Sequence, residues 1–97
     1  MISDEDFYRL FNAAAVAAKP YGKPAILATS MEDRFENIEI DSLDGLIMGM
    51  YLCDAFAVSE AEGKDMKPET VGDMRDFLVK HARVSEIDIE KAIEVMK

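Results

Sequence analysis

The stretch from Glu36 to Phe56, ENIEIDSLDGLIMGMYLCDAF, decides how the rest of the chain is read. An acidic run ends in Asp41-Ser42-Leu43-Asp44, and a long, mostly apolar segment without proline follows it. Asp and Ser are the residues that open helices, because their side-chain oxygens accept hydrogen bonds from the first, otherwise unpartnered backbone N–H groups. The pattern predicts a helix from about Ser42 to Ala57 with Asp41 capping its first turn. Leu46, Gly49, Leu52, Cys53 and Phe56 recur at helical spacing and form the expected core stripe. Leu43 is expected to anchor the helix start so that Ser42 points outward.

Upstream, Ser3 reads as the N-cap of a first helix over residues 4–18. Asp4, Glu5 and Asp6 then fall in its first turn, where the helix dipole favours acids. Ile2 and Phe7 suit a hydrophobic staple. Phe7, Leu10, Phe11, Ala14, Ala17 and Ala18 supply an apolar face, and Pro20 is expected to stop the helix. Residues 20–40 form a connection too long to be left unpinned in a small domain. Ile26, Leu27, Phe35, Ile38 and Ile40 are its expected anchors, with a short helical turn opening at Ser30 and Asp33 inside it.

Downstream, residues 58–69 are polar and broken by Gly63 and Pro68, which leaves room for at most one short helix. Thr70 should cap another, with Val71, Met74, Phe77, Leu78 and His81 or Ala82 on its apolar side. Ser85 should cap a last helix of about three turns, in which Ile89, Ala92, Ile93 and Met96 share a face that rests on the body near the first helix. No strand pair or repeat is visible, so the expected class is all-α.

The chain has 97 residues, 49% of them hydrophobic. That is enough for one domain with a small core and too apolar for a disordered segment. Eleven basic against twenty acidic residues give a net charge of −9. Such a field repels nucleic acid and anionic membranes and draws in proteins with basic patches. The single cysteine, Cys53, allows no intrachain disulfide and no cysteine-based zinc site. No secretory leader and no apolar run near the ~20 residues of a membrane span are visible. A cytoplasmic protein without membrane insertion is expected.

Catalytic and metal chemistry find little support. With Gly45 in the glycine position of a calcium-binding loop, the first and last ligand positions fall on Ile40 and Tyr51, and neither supplies a carboxylate. A nucleophilic serine needs a base and an oxyanion hole. The only histidine, His81, lies far along the chain and reads as a surface or groove residue. Cys53 reads as a small buried hydrophobe and the methionines as core or interface filler. The expectation is no enzyme, no catalytic residue and no metal. Ser42 remains: an exposed hydroxyl at a helix N-terminus, without a base, placed for modification by another enzyme and for a phosphodiester facing the positive end of a helix.

At this point the chain resembles the acyl carrier protein family, the small carriers of fatty acid and polyketide synthesis. The resemblance rests on EDRFENIEIDSLD from Glu32 to Asp44, on the aromatic Phe56 ending the second helix, and on TVGDM from Thr70 to Met74 opening a later one, with no insertion between them. It covers roughly Ser3 to Ala82. It implies an acyl-carrier-like four-helix bundle with a long first loop, a short or frayed third helix and an extra C-terminal helix. Residues 1–83 would be the carrier domain and residues 84–97 a helical extension. It further implies that Ser42 carries 4′-phosphopantetheine, covalently attached by a phosphopantetheinyl transferase, and that acyl intermediates ride on the arm as thioesters. The expected partners are that transferase, an acyl-loading enzyme, and a ketosynthase or acyltransferase, met by a monomeric carrier. Asp41, Leu43, Asp44, Ile47, Met50, Tyr51 and Asp54 are the expected partner-binding residues.

The departures from the family point to a specialised pathway. Of its usual ladder of acids on the second helix, Asp44 and Asp54 remain, while Ile47, Cys53 and Ala55 stand where acids are frequent. Gly45 and Gly49 interrupt the same helix at about 1 kcal/mol each relative to alanine. Glu39-Ile40-Asp41-Ser42 also differs from the Gly-Gly-His-Ser of many peptidyl carriers, which favours an acyl over a peptidyl or aminoacyl cargo. The alternative outside the carriers is an unmodified helical adaptor of the same shape.

Overall fold

The order of elements follows from where the chain can cap a helix. A computed structural model describes residues 2–19 and 25–96. Helix α1 spans Asp4–Ala18, with Ser3 Oγ accepting from Asp6 N at 3.1 Å. Its buried face is Phe7, Leu10, Phe11, Ala14, Ala15 and Ala18, and Ile2 packs half-buried beside it. The expected stop at Pro20 lies outside the described residues. Lys19, immediately after the helix, is already extended, the conformation forced on a residue that precedes proline.

Helix α2 spans Ser42–Phe56, α3 is a single turn at Glu60–Gly63, α4 spans Val71–His81 and α5 spans Ile89–Val95. A 3₁₀ turn, Phe35–Ile38, precedes α2. Among the described residues there is no strand, only one isolated antiparallel bridge between Arg34 and Thr70. No helix among them is long and apolar enough to cross a membrane. Helix α1 packs on α2 and α5, and α2 also meets α4 and α3.

The core is built on aromatic contacts between α1, α2 and the first loop. Phe7 lies 6.1 Å from Phe11 and 6.2 Å from Phe56, ring centre to ring centre, and Phe11 lies 5.7 Å from Phe35. Met48, Leu52, Val71, Met74 and Leu78 complete it with almost no exposed surface.

The long loop is pinned differently from the expectation. Ile38 and Ile40 are buried and Phe35 is half-buried, as anticipated, but Ile26 and Leu27 are 44% and 53% exposed. The anchor there is Asn12 on α1, whose amide accepts from Ala28 N at 2.8 Å and donates to Ala28 O at 3.1 Å. Ser30 opens no helix. Asp33 instead closes a turn by accepting from Thr29 N and Ser30 N. The loop then runs beside the start of α4, where Val71 N donates to Asp33 O and Gly72 N to Met31 O. A Cβ at Gly72 would sit 3.0 Å from that Met31 oxygen, so glycine lets the two backbones approach without displacement. Thr70 and Asp73 form a reciprocal capping box that opens α4.

The C-terminal helix corrects a second expectation. Asp88, not Ser85, caps it, accepting from Lys91 N at 3.1 Å, and it has about two turns rather than three. Its apolar face is the expected one: Ile89, Ala92 and Ile93 are half-buried and Met96 is buried. Arg9 of α1 pairs with Glu90. So short a helix holds its shape only by packing. Met96→Ala should therefore lower unfolding stability by about 2 kcal/mol or more, the cost of emptying a buried methionine site. Urea unfolding measures it, and a loss below ~0.5 kcal/mol, the level of an ordinary surface substitution, would show α5 to be undocked.

Candidate functional site

Ser42 is the first residue of α2 and is exposed. Capping is done by its neighbour: Asp41 Oδ1 accepts from Asp44 N at 2.8 Å. The Ser42 hydroxyl is thereby spared the capping role that serines at helix starts commonly take.

The surroundings of Ser42 differ from the expectation in three ways. Asp44 is not on the outer face. It is 5% exposed, and its Oδ2 lies 2.7 Å from Lys19 Nζ. The same ammonium donates to Glu39 O, so Lys19 ties the end of α1 to the entry of α2 on both sides of Asp41. The Asp44 hydrogen bond raises the Lys19 pKa. Leu43 is not an anchor, being 64% exposed, and the helix start is held instead by buried Ile38, Ile40 and Asp44. Leu46 leaves the expected core stripe and Met48 takes its place: Leu46 is 64% exposed and Met48 fully buried. At about 100° per residue Leu46 lies ~120° from Leu52, too far round to share its face.

The expected partner face therefore divides. Asp41, Leu43, Met50 and Asp54 are exposed, Ile47 and Tyr51 are half-buried against the core, and Asp44 is withdrawn. Leu43, Leu46 and Met50, spaced three and four residues apart, make one exposed apolar stripe running from Ser42 along α2.

Leu46 and Met50 of this stripe also line a groove of about 870 Å³ between α2 and the segment from Val58 to Pro68. Ser42 and Asp41 stand at one end, and Gly45, Gly49 and Cys53 form its floor on α2. Burial pushes the Cys53 thiol up, with a smaller push from the Asp54 charge. The α3 wall has no buried side chain of its own. It is held by Glu62, which accepts from Ser59 Oγ at 2.8 Å and lies 2.8 Å from His81 Nδ1 and 2.6 Å from Arg83 Nη2. His81 is thus committed to a latch between α3 and α4, and its ring also packs, tilted, against Phe77 at 4.4 Å. Sequence reasoning missed Glu62, Arg83 and Lys19 as parts of this frame. Among the described residues no three potential metal-ligating acids, cysteines or histidines come together. Compared with known proteins, the chain matches no family model, no curated protein and no solved structure.

The frame generates two expectations. Lys19→Met leaves the buried Asp44 carboxylate without its counter-charge, whereas Asp44→Asn leaves a lysine that can turn to water. Lys19→Met should be the more destabilising, and the double variant should recover part of that loss in a denaturant-unfolding cycle; simple additivity would contradict the pairing. The hydrogen bond from Ser59, followed by those from His81 and Arg83, lowers the Glu62 pKa from 4.5 to about 2. A depressed carboxylate contributes stability that is complete above its ordinary value and disappears as pH falls through its folded value. The difference in urea midpoint between the native chain and Glu62→Gln should be full above pH 4.5 and close as pH approaches about 2. A difference that stays constant over that range would remove Glu62 from the latch.

Proposed function

We propose that the chain is a type II carrier protein, in which Ser42 is the attachment point of a 4′-phosphopantetheine arm and acyl intermediates are carried as thioesters on that arm. The carrying observation is the placement of Ser42. It is exposed at the first turn of α2, relieved of capping by Asp41, and set at the end of an apolar groove. The residues present fit such a group. A phosphodiester on Ser42 would face the positive end of a fifteen-residue helix. The groove beside it offers apolar cover of the size typical of small-molecule sites. The arm supplies the reactive thiol, and this chain contributes position and address.

The five helices read as an acyl-carrier-like four-helix bundle, α1 to α4, with a long first loop, a one-turn third helix and α5 as an addition. The Leu43, Leu46 and Met50 stripe is the natural surface for the transferase, the loading enzyme and the ketosynthase or acyltransferase. With Asp44 withdrawn to Lys19, these partners grip the helix by apolar contact, with Asp41 and Asp54 as the flanking acids. The same stripe would serve an unmodified helical adaptor, which is the second reading.

Modification separates the two. Incubated with coenzyme A and a phosphopantetheinyl transferase, the chain should gain one arm by intact mass, and Ser42→Ala should gain none. An alanine variant that is still modified would refute Ser42 as the site, and a native chain that resists transferases of broad specificity would favour the adaptor.

A further inference from the structure

Two close contacts form among the residues lining the groove beside Ser42, each on a glycine. A Cβ built on Gly49 would lie 3.2 Å from Met66 Cε, so the end of the Met66 side chain rests on the bare backbone of α2. A Cβ built on Gly63 would lie 3.2 Å from Cys53 Sγ, so the thiol closes against the backbone of α3. Along the helix axis, at ~1.5 Å per residue, Gly49 lies about 10 Å and Cys53 about 16 Å beyond Ser42. Anything entering from the Ser42 end meets Met66 before it reaches Cys53.

The two contacts differ in stiffness. Met66 is half-buried, and its thioether turns about three bonds, so it can swing aside at little cost. Cys53 has one side-chain rotor and faces a main chain. The lining is also divided by polarity. Its charged members Asp41, Asp54, Glu60, Lys64 and Lys67 are all exposed, while Ile40, Gly49, Cys53, Val58 and Met74 are buried. The buried lining has no hydroxyl, amide or charged side chain, so a polar group carried into its depth would be left unsatisfied.

We propose that Met66 is the specificity-determining residue of the groove, a movable plug on Gly49 that admits a slender, unbranched, unsubstituted aliphatic chain and turns back a branched, rigid or polar one, with the Cys53–Gly63 contact ending the track. The occupant is the cargo held through Ser42, so its identity rests on the carrier reading; the plug itself is a property of the unmodified fold. Met66→Ala opens the track and Met66→Trp blocks it.

Cys53 is the only cysteine, so its labelling reports on the inner end directly. The unmodified chain is treated with N-ethylmaleimide and, separately, with the charged reagent iodoacetate, and labelling is followed by intact mass. Met66→Ala should speed the maleimide reaction about tenfold by improving access to the thiol, and leave the iodoacetate rate unchanged. Equal acceleration of both reagents would mean general loosening, and no acceleration would mean an open track; either overturns the plug. On chains modified at Ser42 and loaded with straight saturated acyl groups of rising length, long groups should protect Cys53 in the native sequence and fail to do so in Met66→Trp. Identical protection in both would overturn the role in cargo selection. Failure of the carrier reading shows itself separately, as no mass gain at Ser42, with the maleimide comparison still deciding the plug.

Discussion

Lys19 Nζ lies 2.7 Å from Asp44 Oδ2 where the chain has just left α1, and the entry to α2 closes around the same ammonium. Both side chains are largely withdrawn from water, at 13% and 7% exposure. A pair so placed is costly to desolvate and costlier to break, so it holds one geometry rather than many. That geometry fixes which face of α2 looks inward. With Asp44 turned to Lys19, Met48, Leu52 and Phe56 are buried, Phe56 against Phe7 of α1, and Leu43, Leu46 and Met50 are turned to solvent beside Ser42.

In a chain of net charge −9, three acids are committed to holding the frame. Asp44 is structural, Asp41 caps, and Glu62 latches α3 to α4. The one-turn α3 has no core of its own, and the groove wall it forms is held by hydrogen bonds and ion pairs at its far side. Partly exposed pairs of this kind are individually weak and sensitive to salt. The floor of the groove is thus firm while its outer wall is lightly held.

What could be read from the sequence follows the range of the interactions concerned. The caps at Ser3, Asp41 and Thr70 are local, and each lies within three residues of its partner. The rotation of α2 was hard to read because that helix is apolar on nearly every side; only the ~120° between Leu46 and Leu52 marks Leu46 as the outlier. The burial of Asp44 depends on Lys19, on another helix, and nothing near either residue announces it. Asn12, interrupting the apolar face of α1, was a signal available but unused; it holds the backbone of Ala28. At the C-terminus Ser85 and Asp88 are both capping residues, and the chain uses the later one. The position of Ser42 at a helix start was legible, whereas Met66 resting on Gly49 brings together α2 and a loop that no pattern connects.

The central claim is that Ser42 bears a phosphopantetheine arm in the working protein. Intact and fragment mass spectrometry of the protein isolated from its native host tests this most directly. The account predicts the 10.8 kDa chain plus one phosphopantetheine, free or acylated, with the added mass localised to Ser42. A population bearing nothing at Ser42, in cells whose other carriers are modified, would contradict it.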